Sequence, residues 1–319
     1  MQPSTPPEGW ESKAIKDVLH GYLVEQRRAR RWKIFFRLML AVYVGGFVGL
    51  LAFGNSPSKG SAEPRHVAVV DIKGTIEDGS RTGSSAESLI RGLRSAFNAD
   101  NAVGVILRIN SPGGSPVQSA QVYREIIRLK EKHPETPIYA VAGDIAASGA
   151  YYIASAADSI YADANSLVGS VGVIMSGFGF SGAIERIGVD RRVYTSGTSK
   201  AFMDPFIDEN PDSVAHVQTL LSDIHEEFIG AVRQGRGDRL NGDDAELFNG
   251  LIWTGRQALE LGLVDGLGSA SEIAQDKLGT VKSINYSHTL SPLEKLTNRL
   301  SASLTGDVVQ ALSGGWKIQ

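Results

Sequence analysis

Val103–Ala154 reads VGVILRINSPGGSPVQSAQVYREIIRLKEKHPETPIYAVAGDIAASGAYYIA, and its alternation decides the fold class. Val103–Ile109 and Ile138–Ala142 are short apolar runs of the kind buried in a sheet covered on both faces. Between them, Val117–Lys132 places Val122, Ile126 and Leu129 at helical spacing, with charges on the opposite face. A further apolar run, Val67–Ile72, and a second amphipathic segment, Ser85–Phe97, precede this stretch. Strands alternating with helices predict an α/β domain, a mainly parallel sheet with helices packed on it. Asp212–Arg233 predicts a long helix, and Thr254 reads as the N-cap of another over Arg256–Leu261.

Outward from this core, the chain divides into five parts. Residues 1–33 form a polar arm that ends in the basic cluster Arg27, Arg28, Arg30, Arg31 and Lys33. In residues 34–54 the only charge is Arg37, and Leu38–Phe53 has none, so with its flanks this stretch is expected to cross the roughly 30 Å hydrocarbon core as one transmembrane helix. The basic residues lie before the span, which places the N-terminus in the cytoplasm and the rest of the chain on the periplasmic side of a bacterial inner membrane. Residues 55–65, NSPSKGSAEPR, read as a linker, and 66–280 as the folded domain. In the tail, 281–319, Leu293, Leu296, Leu300 and Leu304 share one face of a candidate helix.

Composition removes whole classes of chemistry. The chain has no cysteine, which excludes disulfides, thiolate catalysis and cysteine-based zinc sites. Its six histidines show no metal-ligand spacing, so no metal site is expected, and the serine chemistry considered below needs no organic cofactor. A net charge of −3 gives no global basic field, and no nucleic-acid partner is expected.

Three segments have the composition of a site. Asn110–Ser115 follows a strand and precedes a helix, and its adjacent glycines let bare amides approach a ligand; the same residues suit an oxyanion hole, a tight turn or a phosphate nest. Gly143–Tyr152 places Ser148 at a strand-to-helix elbow, where a hydroxyl stands exposed beside backbone amides. The alternative is that its small residues let a helix pack close to the sheet. A serine nucleophile needs a base. His133 lies in a polar loop, and His216 and His225 fall in the long charged helix, which disfavours a Ser-His-Asp triad. A desolvated lysine can serve instead, because burial disfavours the ammonium. Tyr194–Phe202 offers Lys200 after a strand-like run, Arg192–Thr195, with Phe202, Met203 and Phe206 nearby, although most lysines are simply solvated. Leu167–Val173 reads as a small-residue strand carrying Ser170, a candidate partner for the lysine amine.

In order and spacing, SPGG at 111–114, DIAASGAYYIA at 144–154, GSVGV at 169–173 and TSGTSKAF at 195–202 resemble the signal peptide peptidase A family of serine peptidases, over roughly Val67–Gly279. The resemblance implies a Clp protease/crotonase-like fold of repeated ββα units. It also implies Ser148 as nucleophile, Lys200 as general base, Ser170 as the supporting serine, and Gly114 and Gly149 as oxyanion donors. The expected substrates are cleaved signal peptides and similar apolar peptides, met at the lipid bilayer. The chain resembles the short, single-repeat members, for which the resemblance implies a homo-oligomeric ring, expected to be octameric, with dyads shared between subunits. Two rival readings are a crotonase-like acyl-CoA enzyme, for which no active-site carboxylate is evident near the glycine-rich turns, and a non-catalytic membrane scaffold.

Overall fold

The computed structural model describes residues 10–53, 64–79 and 84–287. The chain folds as two units, Met1–Ser61 and Ala62–Gln319. Among its described residues the first contains one helix, α1 (Trp10–Phe53), which takes in both the basic cluster and the apolar stretch that follows it. Trp32, Phe35 and Phe36 contact one another on its surface, with ring centroids 5.6–5.8 Å apart. Among the described residues no helix is long and apolar enough to cross a membrane. Gly54 and residues 55–63 of the expected linker lie outside the described residues, as do Leu293, Leu296, Leu300 and Leu304.

The second unit opens with β1 (His66–Lys73), α2 (Ala86–Phe97), β2 (Ala102–Ser111), α3 (Pro116–Lys132), β3 (Ile138–Ala147) and α4 (Gly149–Ala154). It continues through β4 (Ser159–Ala162), β5 (Leu167–Gly169), α5 (Ser181–Arg186), α6 (Pro211–Arg236) and α7 (Asp244–Leu247). β6 (Ile252–Thr254), α8 (Gly255–Glu260), β7 (Gly266–Leu267), α9 (Ala270–Leu278) and β8 (Ser283–Asn285) complete it. The predicted helices form where expected, and their caps show why. Ser85 begins α2 and Thr254 begins α8, each as a capping box in which the side chain accepts from the third helical N–H.

The sheet order is β6-β5-β3-β2-β1-β8, and every pair is parallel except β5 with β6. The mixed α/β reading is therefore borne out. β3 changes neighbours along its length: Tyr139–Ala142 pair with β4, and Ile145–Ala147 pair with β5. The change falls at Gly143, whose carbonyl accepts from the Ser166 hydroxyl at 2.5 Å. This handover passes the end of β3 from β4 to β5 while Ala146 still pairs with Ser111 of β2.

One face of the sheet is sealed by α2, α3, α4 and α6. Ile72, Leu107, Ile109, Val122, Ile126 and Phe228 are all buried there. The other face meets α9 through Val69, Ile106, Val141, Ile273 and Leu278. Each such side chain contributes about 1.5–3 kcal/mol on burial.

Four segments differ from the sequence expectation. β3 runs to Ala147 rather than ending at Ala142, because β5 supplies it with a second ladder. β8 extends the sheet past residue 280 by pairing with β1. Arg192–Thr195 and Ser170–Val173 are not strands. Apolar alternation makes a strand only where a neighbour completes the ladder; among the described residues no strand pairs with 192–195 or 170–173, and Tyr194 is 91% exposed.

Arg236, 1% exposed, fastens the last turn of α6 to this frame. It donates to the Gly262 carbonyl at 2.8 and 3.0 Å and to both oxygens of Asp265 at 2.6 and 3.0 Å. Asp265 also accepts from the Ile160 N–H of β4 at 2.7 Å. Burial alone would raise the Asp265 carboxyl, but the hydrogen bonds from Arg236 and Ile160 and the charges of Arg236 and Arg239 outweigh it and hold the group below its ordinary value. A depressed carboxylate stabilises the fold above its unfolded pKa, about 3.9, and that contribution is lost as pH falls toward the folded value. Arg236→Ala, which leaves Asp265 with Arg239 and the Ile160 N–H and takes both donors from the Gly262 carbonyl, is expected to destabilise the domain by about 1–3 kcal/mol at pH 7, read from the denaturant midpoint. A change under about 1 kcal/mol would mean that water replaces the guanidinium.

Candidate active site

Ser148 is the single residue between β3 and α4. Its backbone lies at φ 53°, ψ −126°, a region that a residue with a side chain enters at a cost of about 1–3 kcal/mol and keeps only where its surroundings fix it. Here its N–H donates to the Gly169 carbonyl at 2.8 Å, and its own carbonyl accepts from the Tyr152 N–H at 2.9 Å. The elbow therefore follows from the β3–β5 pairing that the Gly143 handover creates.

The Gly113–Gly114 turn presses against this elbow. A Cβ on Gly113 would lie 2.7 Å from the Gly149 nitrogen and 2.8 Å from the Ser148 Cβ, and one on Gly114 would lie 2.2 Å from the Ile76 carbonyl oxygen. Only glycine fits at either position. The Ile76 N–H donates to the Gly113 carbonyl at 2.9 Å, and the Ser115 N–H donates to the Ile76 carbonyl at 2.7 Å. In such a parallel bridge the N–H of the middle residue, Gly114, faces away from Ile76. The Gly149 N–H is the first of α4 and has no carbonyl a turn before it. A Cβ built on Gly149 would lie 3.3 Å from the Gly114 nitrogen, so the two amides are neighbours. Neither donates to an acceptor among the described residues. Ser111, fully buried, donates to the Gly74 carbonyl at 2.6 Å and accepts from the Gly113 N–H at 3.1 Å, which fixes the turn from behind.

Ser170 follows β5 as Ser148 follows β3. Ala147 and Gly169 are register partners, and Ser170 shares the positive backbone angle, φ 54°. Its N–H donates to the Leu251 carbonyl at 2.7 Å. The two serines thus occupy adjacent elbows.

A cavity of about 430 Å³ opens beside Ser148, Gly114 and Gly149. Val117 of α3, Tyr152 of α4, Phe228 of α6, and Val173 and Ile174 beyond Ser170 give it apolar walls. Tyr152 stacks on Phe228 with centroids 4.9 Å apart. Two features of this cavity escaped the sequence reading. Arg124 and Glu227 also line it, and helical charge on an exposed face gave no sign of that. His225 Nε2 donates to the Val171 carbonyl at 3.1 Å, so a histidine set aside as part of a charged helix reaches the edge of the site.

Lys200 lies elsewhere. It is exposed and lines a separate hollow of about 400 Å³ with Arg191, Phe202, Asp204 and Phe206. Its ammonium has no hydrogen-bond or ion-pair partner among the described residues. One chain therefore brings Ser148, Gly114, Gly149 and Ser170 together but does not add Lys200. Along the chain between Ser170 and Lys200, Ile174, Phe178, Ile187 and Tyr194 are all largely exposed. Among the described residues no group of His, Asp or Glu could hold a metal ion.

Comparison with known proteins matches residues 130–283 to the family described as Peptidase family S49. The chain is 32% identical over 260 residues to "Putative signal peptide peptidase SppA" of Enterococcus faecium, covering 79% of this chain and 74% of that protein. It is 34% identical over 213 residues to "Protease 4" of Haemophilus influenzae, covering 66% of this chain and 34% of that one. It is also 41% identical over 226 residues to a Brucella abortus protein named "Na(+)/H(+) antiporter NhaA". That match covers 70% of this chain, and the chain spans only 30% of the Brucella protein's length.

The close approach at Gly114 has a measurable consequence. Gly114→Ala must displace Ile76 and is expected to destabilise the domain by about 1–3 kcal/mol, seen as a lower denaturant midpoint at unchanged slope. An unshifted midpoint would show that the turn can move away from Ile76 freely.

Proposed function

The chain belongs to peptidase family S49, the family of signal peptide peptidase A, and on that premise we propose that it is a membrane-anchored endopeptidase working through a Ser148–Lys200 dyad. The observation that carries the reading is the strained Ser148 elbow with the unpaired Gly114 and Gly149 amides converging beside it. This is the arrangement an acyl-transfer site needs, a nucleophile and two donors aimed at one point. A Clp protease/crotonase-like architecture accords with it: after β1, β2 and the first part of β3 the chain makes a short extended contact (Ile76, Gly114 and Ile145–Ala147) before its next helix.

In the proposed reaction the neutral Lys200 amine takes the Ser148 proton as the hydroxyl oxygen attacks a peptide carbonyl carbon. The Gly114 and Gly149 amides hold the resulting oxyanion. The C–N bond breaks as Lys200 returns the proton to the leaving amine, which leaves an ester on Ser148. Water, deprotonated by Lys200, then attacks the ester, and the carboxylic acid departs with Ser148 restored. Ser170, one strand over, is the group we assign to orient the amine. The apolar walls formed by Val117, Tyr152, Phe228, Val173 and Ile174 suit extended apolar peptides, and cleaved signal peptides are the substrate class we propose.

Two further elements belong to the proposal. The separation of Lys200 from the Ser148 cavity within one chain supports a homo-oligomeric ring, octameric in our reading, in which one subunit's lysine serves another's serine. Covering Lys200 at such an interface would favour the neutral amine that a base requires. The uncharged stretch Leu38–Phe53, preceded by the basic cluster in 27–33, supports anchoring through α1 with the peptidase domain on the periplasmic face of a bacterial inner membrane.

The test is labelling of the full chain with a serine-directed fluorophosphonate from about pH 5 to about pH 10, a range that brackets a lysine amine whose pKa is lowered by burial. We expect one adduct, on Ser148, with a rate that rises with pH, and loss of at least about 100-fold of that rate in Lys200→Ala. Equal labelling of the variant would remove Lys200 from the mechanism. Absence of any adduct, together with no cleavage of casein, would remove peptidase chemistry altogether.

A further inference from the structure

The segment that carries Lys200 is built as a closed loop. Arg191 donates from Nε at 3.2 Å and from Nη2 at 2.8 Å to the same oxygen, Oδ2, of Asp204. The other oxygen, Oδ1, accepts from the Phe206 N–H at 3.0 Å. Both oxygens of this carboxylate are thus engaged, and its side chain is 11% exposed although it belongs to an otherwise open region. The Arg191 guanidinium also lies over the Phe206 ring, 5.8 Å from its centroid. Phe206 packs on Phe180 at 5.5 Å, and the Phe180 N–H donates to the Pro205 carbonyl at 2.6 Å. The hydrogen bonds from Arg191 and Phe206 hold the Asp204 carboxyl below its usual range, which favours the ionised carboxylate.

Inside the closure, the chain descends through consecutive tight turns. The Lys200 N–H donates to the Gly197 carbonyl, the Phe202 N–H to that of Ser199, and the Asp204 N–H to that of Ala201, at 3.2, 3.2 and 3.0 Å. Gly197 takes φ +104°, which starts this descent. Among the described residues no strand pairs with 191–206, so the loop's shape rests on the ion pair, these turns, and the contacts of Pro205 and Phe206 with Phe180 and of Phe202 with His216. Exposed ion pairs contribute little to global stability. One that joins residues 13 positions apart around a single lysine acts locally, by removing the conformations in which that lysine points elsewhere.

We propose that Arg191 and Asp204 are positioning residues, a clamp that fixes the loop presenting the Lys200 amine. The inference rests on the reading of Lys200 as general base. It separates the clamp from the catalytic group itself. Lys200 moves the proton, whereas Arg191 and Asp204 touch neither substrate nor Ser148 and act only through the placement of the lysine.

The test uses the full-length protein and a fluorogenic apolar peptide, with kcat and KM measured for Asp204→Asn, Arg191→Gln, the double variant and Arg191→Lys. Misplacing a catalytic group by about 1 Å loses roughly one to two orders of magnitude, so kcat is expected to fall about 10-fold or more in each single variant while KM stays within about 2-fold. The double variant should be no worse than either single one, because both remove the same contact. Arg191→Lys keeps one charged donor but loses the second N–H and the overlay of Phe206, so its kcat is expected to fall between the native value and that of Arg191→Gln; a kcat no better than that of Arg191→Gln would count against the clamp, which decides the matter should a neutral variant melt early. Native kcat in both single variants, beside an inactive Lys200→Ala, would overturn the clamp while leaving the dyad standing. Losses that multiply in the double variant would also overturn it. An active Lys200→Ala would overturn the base assignment and the purpose given to the clamp with it.

Discussion

Ser148 holds its strained backbone because β5 gives β3 a second partner, and because two glycines, Gly113 and Gly114, let a neighbouring turn lie against the same elbow without a Cβ in between. Both conditions are geometric. The Gly169 carbonyl receives the Ser148 N–H only if β3 continues past Gly143, and the Gly114 amide stands beside Gly149 only if the turn can approach to van der Waals contact. Everything proposed about chemistry depends on that approach. An oxyanion site works through donors fixed in advance, and here the donors are backbone, held by Ile76, Ser111 and the first turn of α4 rather than by mobile side chains.

Much of this was readable from residue order. The strands β1, β2 and β3 are runs of β-branched and apolar residues long enough to be buried on both faces, and α2 and α3 carry one apolar stripe each, so their types and order followed from periodicity. The Ser148 elbow and the SPGG turn were legible because glycines and small residues at a strand end suit a close backbone approach and little else. What periodicity missed were features that depend on a partner in space. β3 extends to Ala147 because β5 is beside it, whereas Arg192–Thr195, with a strand-like local composition, has no neighbouring strand among the described residues and stays irregular. Arg124 and Glu227 reach the cavity because α3 and α6 turn one edge toward it, and a helical face does not announce which of its charged residues borders a hollow.

The region after Ser170 has a different character from the sheet. From Ile174 to Ile207 it exposes large apolar side chains, among them Ile174, Phe178, Ile187 and Tyr194, and it carries Lys200 on a loop closed by its own ion pair rather than by the core. Ser148 and its amides are finished within one chain, whereas the proposed base is presented outward. The two halves of the proposed dyad are therefore positioned by independent devices, one made of backbone close-packing and one of a local charge clamp.

That independence is tested most directly by mixing. Ser148→Ala and Lys200→Ala chains, each inactive in our reading, are co-assembled, with mixed oligomers confirmed by differential affinity tags, and peptide cleavage is measured. If one chain's lysine serves another's serine, mixed oligomers regain a substantial fraction of native activity, because some interfaces pair an intact Ser148 with an intact Lys200. Proven co-assembly with no recovered cleavage would contradict the shared dyad.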